Sequence, residues 1–194
     1  MRKGKVTRKT KETDVTVEIV LDGSGITSVN TQIPFLNHML DLMGRHGLFD
    51  LTIDATGDIE VDYHHLMEDV GLTMGTAIAQ ALGTKEGITR FGSARVPMDE
   101  TLSEVIIDLS GRPYLVYNVP FTDPTVKDLQ VSLFEDFFRG LTNNGLFNLH
   151  VRLHYGRDSH HILESIFKAF GRALSEAVRI DPRIKGVPST KGSL

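Results

Sequence analysis

Asp62-Tyr-His-His-Leu-Met-Glu68 returns 96 residues later as Asp158-Ser-His-His-Ile-Leu-Glu164, two copies of the signature Asp-x-His-His-x-x-Glu. Together they hold four of the eight histidines in the chain. Imidazole nitrogens and carboxylate oxygens in this pattern are ligands for a borderline or hard divalent ion. On a helix, His64 and Glu68 share a face, as do His160 and Glu164. Adjacent histidines point apart around a helix, so the two in each pair are expected to serve different ions. The simplest arrangement has two metals, each gripped by a His/Glu pair from one copy and the spare His of the other. A polar helix start would account for one copy, but not for two copies of the same four residues.

The duplication extends well beyond the signature. Gly47-Leu-Phe-Asp-Leu51 returns as Gly145-Leu-Phe-Asn-Leu149, and Lys11-Glu-Thr13 followed by Asp22-Gly-Ser-Gly25 returns as Asp99-Glu-Thr101 followed by Asp108-Leu-Ser-Gly111. Gly75, Ala77 and Ala81 fall on Gly171, Ala173 and Ala177 at the signature's own offset. The chain therefore reads as two homologous halves, roughly 5–88 and 93–180, with a tail over 181–194, forming one pseudo-symmetric domain over 1–194. A repeat this long is not a solenoid unit. Aligning the Gly-Leu-Phe blocks sets His38 opposite Asp136, a histidine in one half against a carboxylate in the other.

Composition narrows the chemistry. With 194 residues the chain is long enough to bury a substantial core. A formal net charge of −4 argues against a general nucleic-acid binder. There is no cysteine, so neither disulfides nor thiolate ligands are available, and only nitrogen and oxygen donors remain for a metal. The basic start, Met1 to Lys9, lacks the apolar stretch of a signal peptide, and no apolar run is long enough to cross a bilayer. A cytoplasmic protein is the expectation.

Hydrophobic spacing predicts the elements. Val15, Val17, Ile19 and Leu21 alternate as a half-buried strand ending at the Asp22-Gly-Ser-Gly25 turn. Pro34 opens a helix through about Arg45, stopped near Gly47. Residues 48–55 and 58–62 read as two strands, followed by a helix from about His64 to Leu82 with Gly83 as its stop. The second half predicts strands near 91–97, 103–109, 114–119 and 146–154, with helices near 129–142 and 160–179. Each half is then a β-α-β-β-α-type unit in an α+β fold. The tail, rich in Gly and Pro, is irregular.

Taken as a set, PFLNHML…HGLFDL (34–51), DYHHLMEDVGLTMGTA (62–77), MDETLSEVIIDLSGRPYLVYN (98–118), GRDSHHILESIFKAFGRAL (156–174) and VPSTKGSL (187–194) resemble the imidazoleglycerol-phosphate dehydratase family. The resemblance implies a duplicated fold of the ribosomal protein S5 domain 2-like type and a manganese-dependent hydro-lyase of histidine biosynthesis. It also implies a homo-oligomer of twenty-four subunits with active sites at subunit interfaces. Carried onto this chain, the family's ligands for one metal are His38, His65, His160 and Glu164. For the other they are His64, Glu68, His161 and the residue at 136. Some members have histidine at that last position, where this chain has Asp136 beside Glu135; a carboxylate can also ligate manganese.

The family reaction removes water from D-erythro-imidazoleglycerol phosphate to give imidazole acetol phosphate. The proton lost lies on a carbon beside no carbonyl, so simple base catalysis would be slow. Metal held at both ring nitrogens would keep the ring as imidazolate, which can push out the neighbouring hydroxyl and make the adjacent C–H acidic. The resemblance assigns acid/base work to Glu12, with Glu68 and Glu164 as the other carboxylates of the centre. By spacing alone, Glu12 is a solvated residue at a strand start. For the substrate's phosphate the resemblance supplies Arg90, Arg112, Lys168, Ser189, Thr190 and Lys191. By themselves Arg112 reads as turn chemistry before Pro113, and Lys168 as the solvated face of a helix. His46, closing the helix that carries His38, is a candidate substrate contact, along with His38, His64, Glu68 and His160. His150 and His154, isolated on a strand, are expected to be structural.

Walker A, Rossmann and His-Glu-x-x-His patterns do not occur, which removes nucleotide-binding and zinc-protease readings. Without the family, two alternatives stand: a dinuclear metal hydrolase acting on a phosphate ester or amide, and a non-catalytic metal-binding protein.

Overall fold

The computed structural model describes residues 1–192 and 194; Ser193, within the VPSTKGSL block, lies outside the described residues. The first half runs through strands β1 (Lys3–Lys9), β2 (Thr13–Val20) and β3 (Thr27–Asn30), helix α1 (Pro34–Gly47), strand β4 (Asp50–Gly57) and helix α2 (His64–Leu82). The second half runs through strands β5 (Phe91–Met98), β6 (Thr101–Asp108) and β7 (Tyr114–Asn118), then a short hairpin of β8 (Thr125–Val126) and β9 (Leu129–Gln130). It continues with helix α3 (Leu133–Gly145), strand β10 (Asn148–Tyr155) and helix α4 (Ser159–Val178). The sheets match strand for strand, β1-β2-β4-β3 against β5-β6-β10-β7. In each the last pairing, β3 with β4 and β7 with β10, is parallel and the others are antiparallel.

The α+β class and the duplication are as expected, and the longer strands and last helix of the second half fall near their predicted places. The order common to the halves, however, is β-β-β-α-β-α, with β8 and β9 inserted in the second, rather than β-α-β-β-α. Strands β1 and β3 escaped the hydrophobic pattern for physical reasons, as did the two-residue strands β8 and β9. In β1 the sequence Lys-Gly-Lys-Val-Thr-Arg-Lys buries only Gly4, because this is an edge strand whose charges discourage pairing with other chains. Strand β3 has four residues and buries none of them fully. Residues 58–62, read as a strand from their alternation, form a turn in which the Val61 amide donates to the Asp58 carbonyl at 2.8 Å. The helix placed near 129–142 begins later, at Leu133, and its first residues belong to β9.

The helices are shared between the halves. Helix α2 lies on β1 and β2 and packs against α3, while α4 lies on β5 and β6 and packs against α1. Repeated glycines set these distances. A Cβ on Gly75 would sit 2.3 Å from the Leu141 carbonyl oxygen, and one on Gly171 would sit 2.4 Å from that of Met43. The same holds where helix meets sheet, at Gly4 over Ala77 and Gly92 over Ala173. The repeated Gly-Leu-Phe block is a helix stop. Leu48 and Leu146 adopt the left-handed conformation at φ 58° and 54°, and Phe49 and Phe147 fold back over Gly47 and Gly145. The inward faces of both sheets and all four helices make one continuous apolar core, which includes Phe134, Phe137, Phe138, Phe167 and Phe170. Among the described residues, no helix is long and apolar enough to cross a membrane.

Candidate active site

Each signature begins with an aspartate that accepts a backbone amide of its helix's first turn; Asp158 is the cap residue itself, whereas Asp62 lies one residue before the cap, Tyr63. The Asp158 side chain accepts the backbone amides of His160 and His161, and Asp62 accepts that of His64 at 2.8 Å. With the first turn held in this way, the paired imidazoles diverge. The rings of His64 and His65 stand at 85° with centroids 6.3 Å apart, and those of His160 and His161 at 82° and 6.2 Å.

The first histidine of each pair meets a helix from the other half. His160 Nε2 lies 3.2 Å from Glu164 Oε1, and His38 Nε2, arriving on α1, lies 2.8 Å from the same oxygen. Donor atoms of His38, His160 and Glu164 all fall within 4.8 Å of one another. The edge of Phe35 supports the His160 ring. Lys168, one turn beyond Glu164, donates to its other oxygen at 2.6 Å. With its side chain only 15% exposed, Lys168 is not on a solvated helix face. Burial alone would raise the Glu164 carboxyl, but the hydrogen bonds from Lys168, His38 and His160 outweigh it and hold the group at about 2.

The pseudo-equivalent cluster pairs α2 with α3. His64 Nδ1 lies 3.9 Å from Asp136 Oδ2, and Glu68 follows one turn along α2, exposed to solvent. The alignment that set Asp136 opposite His38 therefore holds in space.

The second histidine of each pair faces a carboxylate of its own half. His65 Nδ1 lies 3.1 Å and 3.2 Å from the two oxygens of Asp58, with Glu12 Oε2 farther off at 4.0 Å. His161 Nδ1 lies 2.8 Å from Glu100 Oε2. Hydrogen bonding to these carboxylates is the largest influence on either imidazole and raises both. Within one chain, then, neither set of four metal ligands implied by the resemblance is brought together. His65 lies outside the His38 cluster, and His161 is turned toward the β5–β6 turn.

The residues expected at the phosphate are spread over three places. Arg90 pairs with Asp108 at 2.7 Å and donates to the Pro188 carbonyl at 2.9 Å, so it anchors the tail that carries Ser189, Thr190 and Lys191. Arg112 donates to the Ser110 carbonyl at 3.2 Å, in the turn its neighbours predicted. Lys168 belongs to the His38 cluster. His46 lines an open cleft of about 570 Å³ with Arg95, Arg172 and Arg179, and burial together with Lys168 and Arg172 lowers its pKa. His154 lies 3.4 Å from Glu104, and His150 lines a shallow hollow on the outer face of the second sheet. Asp58, Glu100 and the Lys168–Glu164 contact were missed by the sequence reading. The repeat of Lys11-Glu-Thr13 in Asp99-Glu-Thr101 was the one available signal for Glu100.

The family model described as imidazoleglycerol-phosphate dehydratase matches residues 31–174. The protein of that name from Trichlorobacter lovleyi is 51% identical over 193 residues, covering 100% of this chain and 99% of the relative. That from Geobacillus sp. is 51% identical over 194 residues, with both chains fully covered. Among solved structures, the Staphylococcus aureus enzyme superposes with a TM-score of 0.83 at 36% identity, over 92% of this chain and 99% of that one. The Pyrococcus furiosus protein, solved in complex with (S)-C348, superposes with a TM-score of 0.85 at 38% identity, over 97% and 100%. Signature, duplicated fold and full-length similarity agree: the chain belongs to the imidazoleglycerol-phosphate dehydratase family of hydro-lyases.

Proposed function

We propose that this chain converts D-erythro-imidazoleglycerol phosphate to imidazole acetol phosphate and water, in cytoplasmic histidine biosynthesis, with two divalent ions, foremost manganese. The observation that carries the metal part is the convergence of His38, His160 and Glu164 from two helices onto one point. Two imidazoles and an ionised carboxylate suit a borderline or hard divalent ion. His64 and Asp136 form the second half-site, and their 3.9 Å separation is within the span of two metal–ligand bonds of about 2.1 Å each. His65 and His161 sit apart from these clusters in their own chain, which supports sites completed by a neighbouring copy in a homo-oligomer, of twenty-four subunits by the family resemblance.

Divalent ions held by His38, His160 and Glu164 and by His64 and Asp136 would supply positive charge that eases loss of a proton from the substrate's imidazole. The chain's own residues do the rest. The C–O bond beside the ring breaks first, and the departing hydroxyl leaves as water by taking a proton from Glu12, on the exposed turn before β2. Glu12, now a carboxylate, takes the proton from the neighbouring carbon, which carries the second hydroxyl, and the enol so formed tautomerises to the ketone. Arg112, Lys168, Ser189, Thr190 and Lys191 hold the phosphate, and Arg90 both contributes to that site and keeps the tail beside it.

The test is incubation of purified protein with imidazoleglycerol phosphate, with and without manganese after chelation. Imidazole acetol phosphate should appear only with the metal. Release of inorganic phosphate instead would make the chain a dinuclear hydrolase. The same preparations run on size exclusion should assemble with metal, since shared ligands bind only when subunits meet. Identical profiles would overturn the shared-site part.

A further inference from the structure

Glu12 and Glu100 occupy equivalent places. Each sits in the hairpin turn before the second strand of its half and precedes a buried threonine, Thr13 or Thr101. Their surroundings differ. Glu100 is fully engaged: Oε2 meets His161 Nδ1 at 2.8 Å, while Oε1 accepts the backbone amides of Arg157 and Asp158 at 3.2 Å and 3.0 Å and the Thr101 hydroxyl at 3.1 Å. Such a carboxylate is fixed in place. Glu12 instead has a side chain 56% exposed and reaches no closer than 4.0 Å to His65 Nδ1. The position beside His65 that Glu12 would fill by symmetry is taken by Asp58, whose side chain is 23% exposed.

Asp58 is well placed to hold that position. It follows Gly57 at the end of β4, and its backbone amide donates to the Glu12 carbonyl at 3.1 Å, tying the two turns together. Gly57 and Gly156 are the matching residues of the two halves, each lying against the threonine that opens the second strand. By that register the counterpart of Asp58 is Arg157, which cannot accept a hydrogen bond from an imidazole. The two halves therefore orient the same histidine with different carboxylates.

We infer that Asp58 is a positioning residue: it holds His65 by its Nδ1–H and presents Nε2 outward, which leaves Glu12 free to move protons, whereas in the second half Glu100 is spent on holding His161. A carboxylate on the far nitrogen of a metal-binding imidazole sets its tautomer and ring orientation. A carboxylate that already accepts four hydrogen bonds is a weak base and is held from swinging toward another proton. The duplicated chain thus obtains two oriented histidines but only one mobile acid/base group. This inference rests on the reading above that His65 binds metal and Glu12 works on substrate.

The test titrates manganese into the full chain by electron paramagnetic resonance and follows kcat and KM in parallel for Asp58→Ala, Asp58→Asn, Glu100→Gln and Glu12→Gln. Asp58→Ala should weaken one manganese equivalent about 10–100-fold, the usual loss when an outer partner of a metal-bound histidine is removed. Asp58→Asn keeps an oxygen acceptor for Nδ1–H and should stay within a few-fold of the parent. Glu100→Gln, which also keeps an acceptor, should likewise retain both equivalents. Glu12→Gln should lose kcat while both equivalents bind unchanged. Unaltered binding in Asp58→Ala, or weakened binding in Glu12→Gln, overturns the inference. If Asp58→Ala does not fold, Asp58→Asn decides: a 100-fold loss there means that charge and not orientation matters, and the inference falls. Failure of the parent protein to bind manganese would instead overturn the functional reading on which it stands.

Discussion

His38 Nε2 lies 2.8 Å from Glu164 Oε1, although the two residues are 126 positions apart and belong to different halves of the duplication. Glu164 is the hub of its cluster, receiving His38, His160 and Lys168 on two oxygens. Glu164→Gln keeps the shape and removes the charge. It should abolish one metal equivalent and lower turnover by about 100-fold or more, above the ~10–100-fold cost of losing an outer partner. Metal titration beside steady-state kinetics checks this; two equivalents bound at parental affinity would rule out Glu164 as a ligand.

On the proposed ligand sets, Asp136 would make the two metal sites chemically unequal. If it ligates alongside His64, Glu68 and His161, that site has two carboxylates and two imidazoles and is formally neutral with a divalent ion. The other proposed site, with three imidazoles and one carboxylate, would keep a positive charge. The oxygen-richer site should prefer manganese and tolerate magnesium. Asp136→His should shift it toward zinc, and Asp136→Ala should weaken one equivalent selectively. Competition titrations with zinc and manganese read both. Two unaltered equivalents in the alanine variant would make Asp136 an ordinary residue of the helix surface.

The glycine contacts that bring the helices together should be separable by half. A Cβ at Gly171 would meet backbone atoms of Met43 and Gly47, and one at Gly75 would meet those of Leu141 and Gly145. Backbone atoms cannot rotate away as a side chain can, so the helices must part, and each alanine variant should lose about 1–3 kcal/mol of stability. Gly171→Ala pushes α1 from α4 and should weaken the His38 site, while Gly75→Ala pushes α3 from α2 and should weaken the His64 site. Urea melts combined with metal titration would show it, and equal effects of either variant on both sites would contradict the assignment.

Cutting the chain after Gly186 should leave folding intact and remove most turnover. The bond from the Gly87 amide to the Gly186 carbonyl, at 2.9 Å, survives the cut. The Pro188 carbonyl held by Arg90 is lost with Ser189, Thr190 and Lys191. Each charge-assisted contact to phosphate removed should cost roughly 1.5–3 kcal/mol. The melting temperature should move by a few degrees while KM rises and kcat falls. Unchanged kinetics would show that the tail does not serve the substrate.

Much of this protein was legible along the chain. The doubled signature, the offset of 96, the helix stops at Gly47 and Gly83, and the pairing of His160 with Glu164 one turn on follow from local periodicity. Periodicity reports which residues share a face of one element, and the signature lies within one turn of one helix. It misread residues 58–62, where alternation imitates a strand, and passed over β1, whose charged edge carries almost no apolar signal.

What meets each face was decided only by the tertiary structure. No spacing within α4 could announce that His38 would arrive from α1, because that meeting depends on how closely backbone carbonyls approach Gly171 and Gly75 across the halves. Nor could two near-identical Glu-Thr turns reveal that Glu100 is bound to its histidine while Glu12 is displaced by Asp58. That difference arises from one side chain at the end of β4, in a turn whose path is fixed by long-range hydrogen bonds. Sequence alone determined the chemical groups and their doubling; three-dimensional packing determined which carboxylate each imidazole faces, since hydrogen bonds of about 3 Å depend on helix and turn positions that no local pattern encodes.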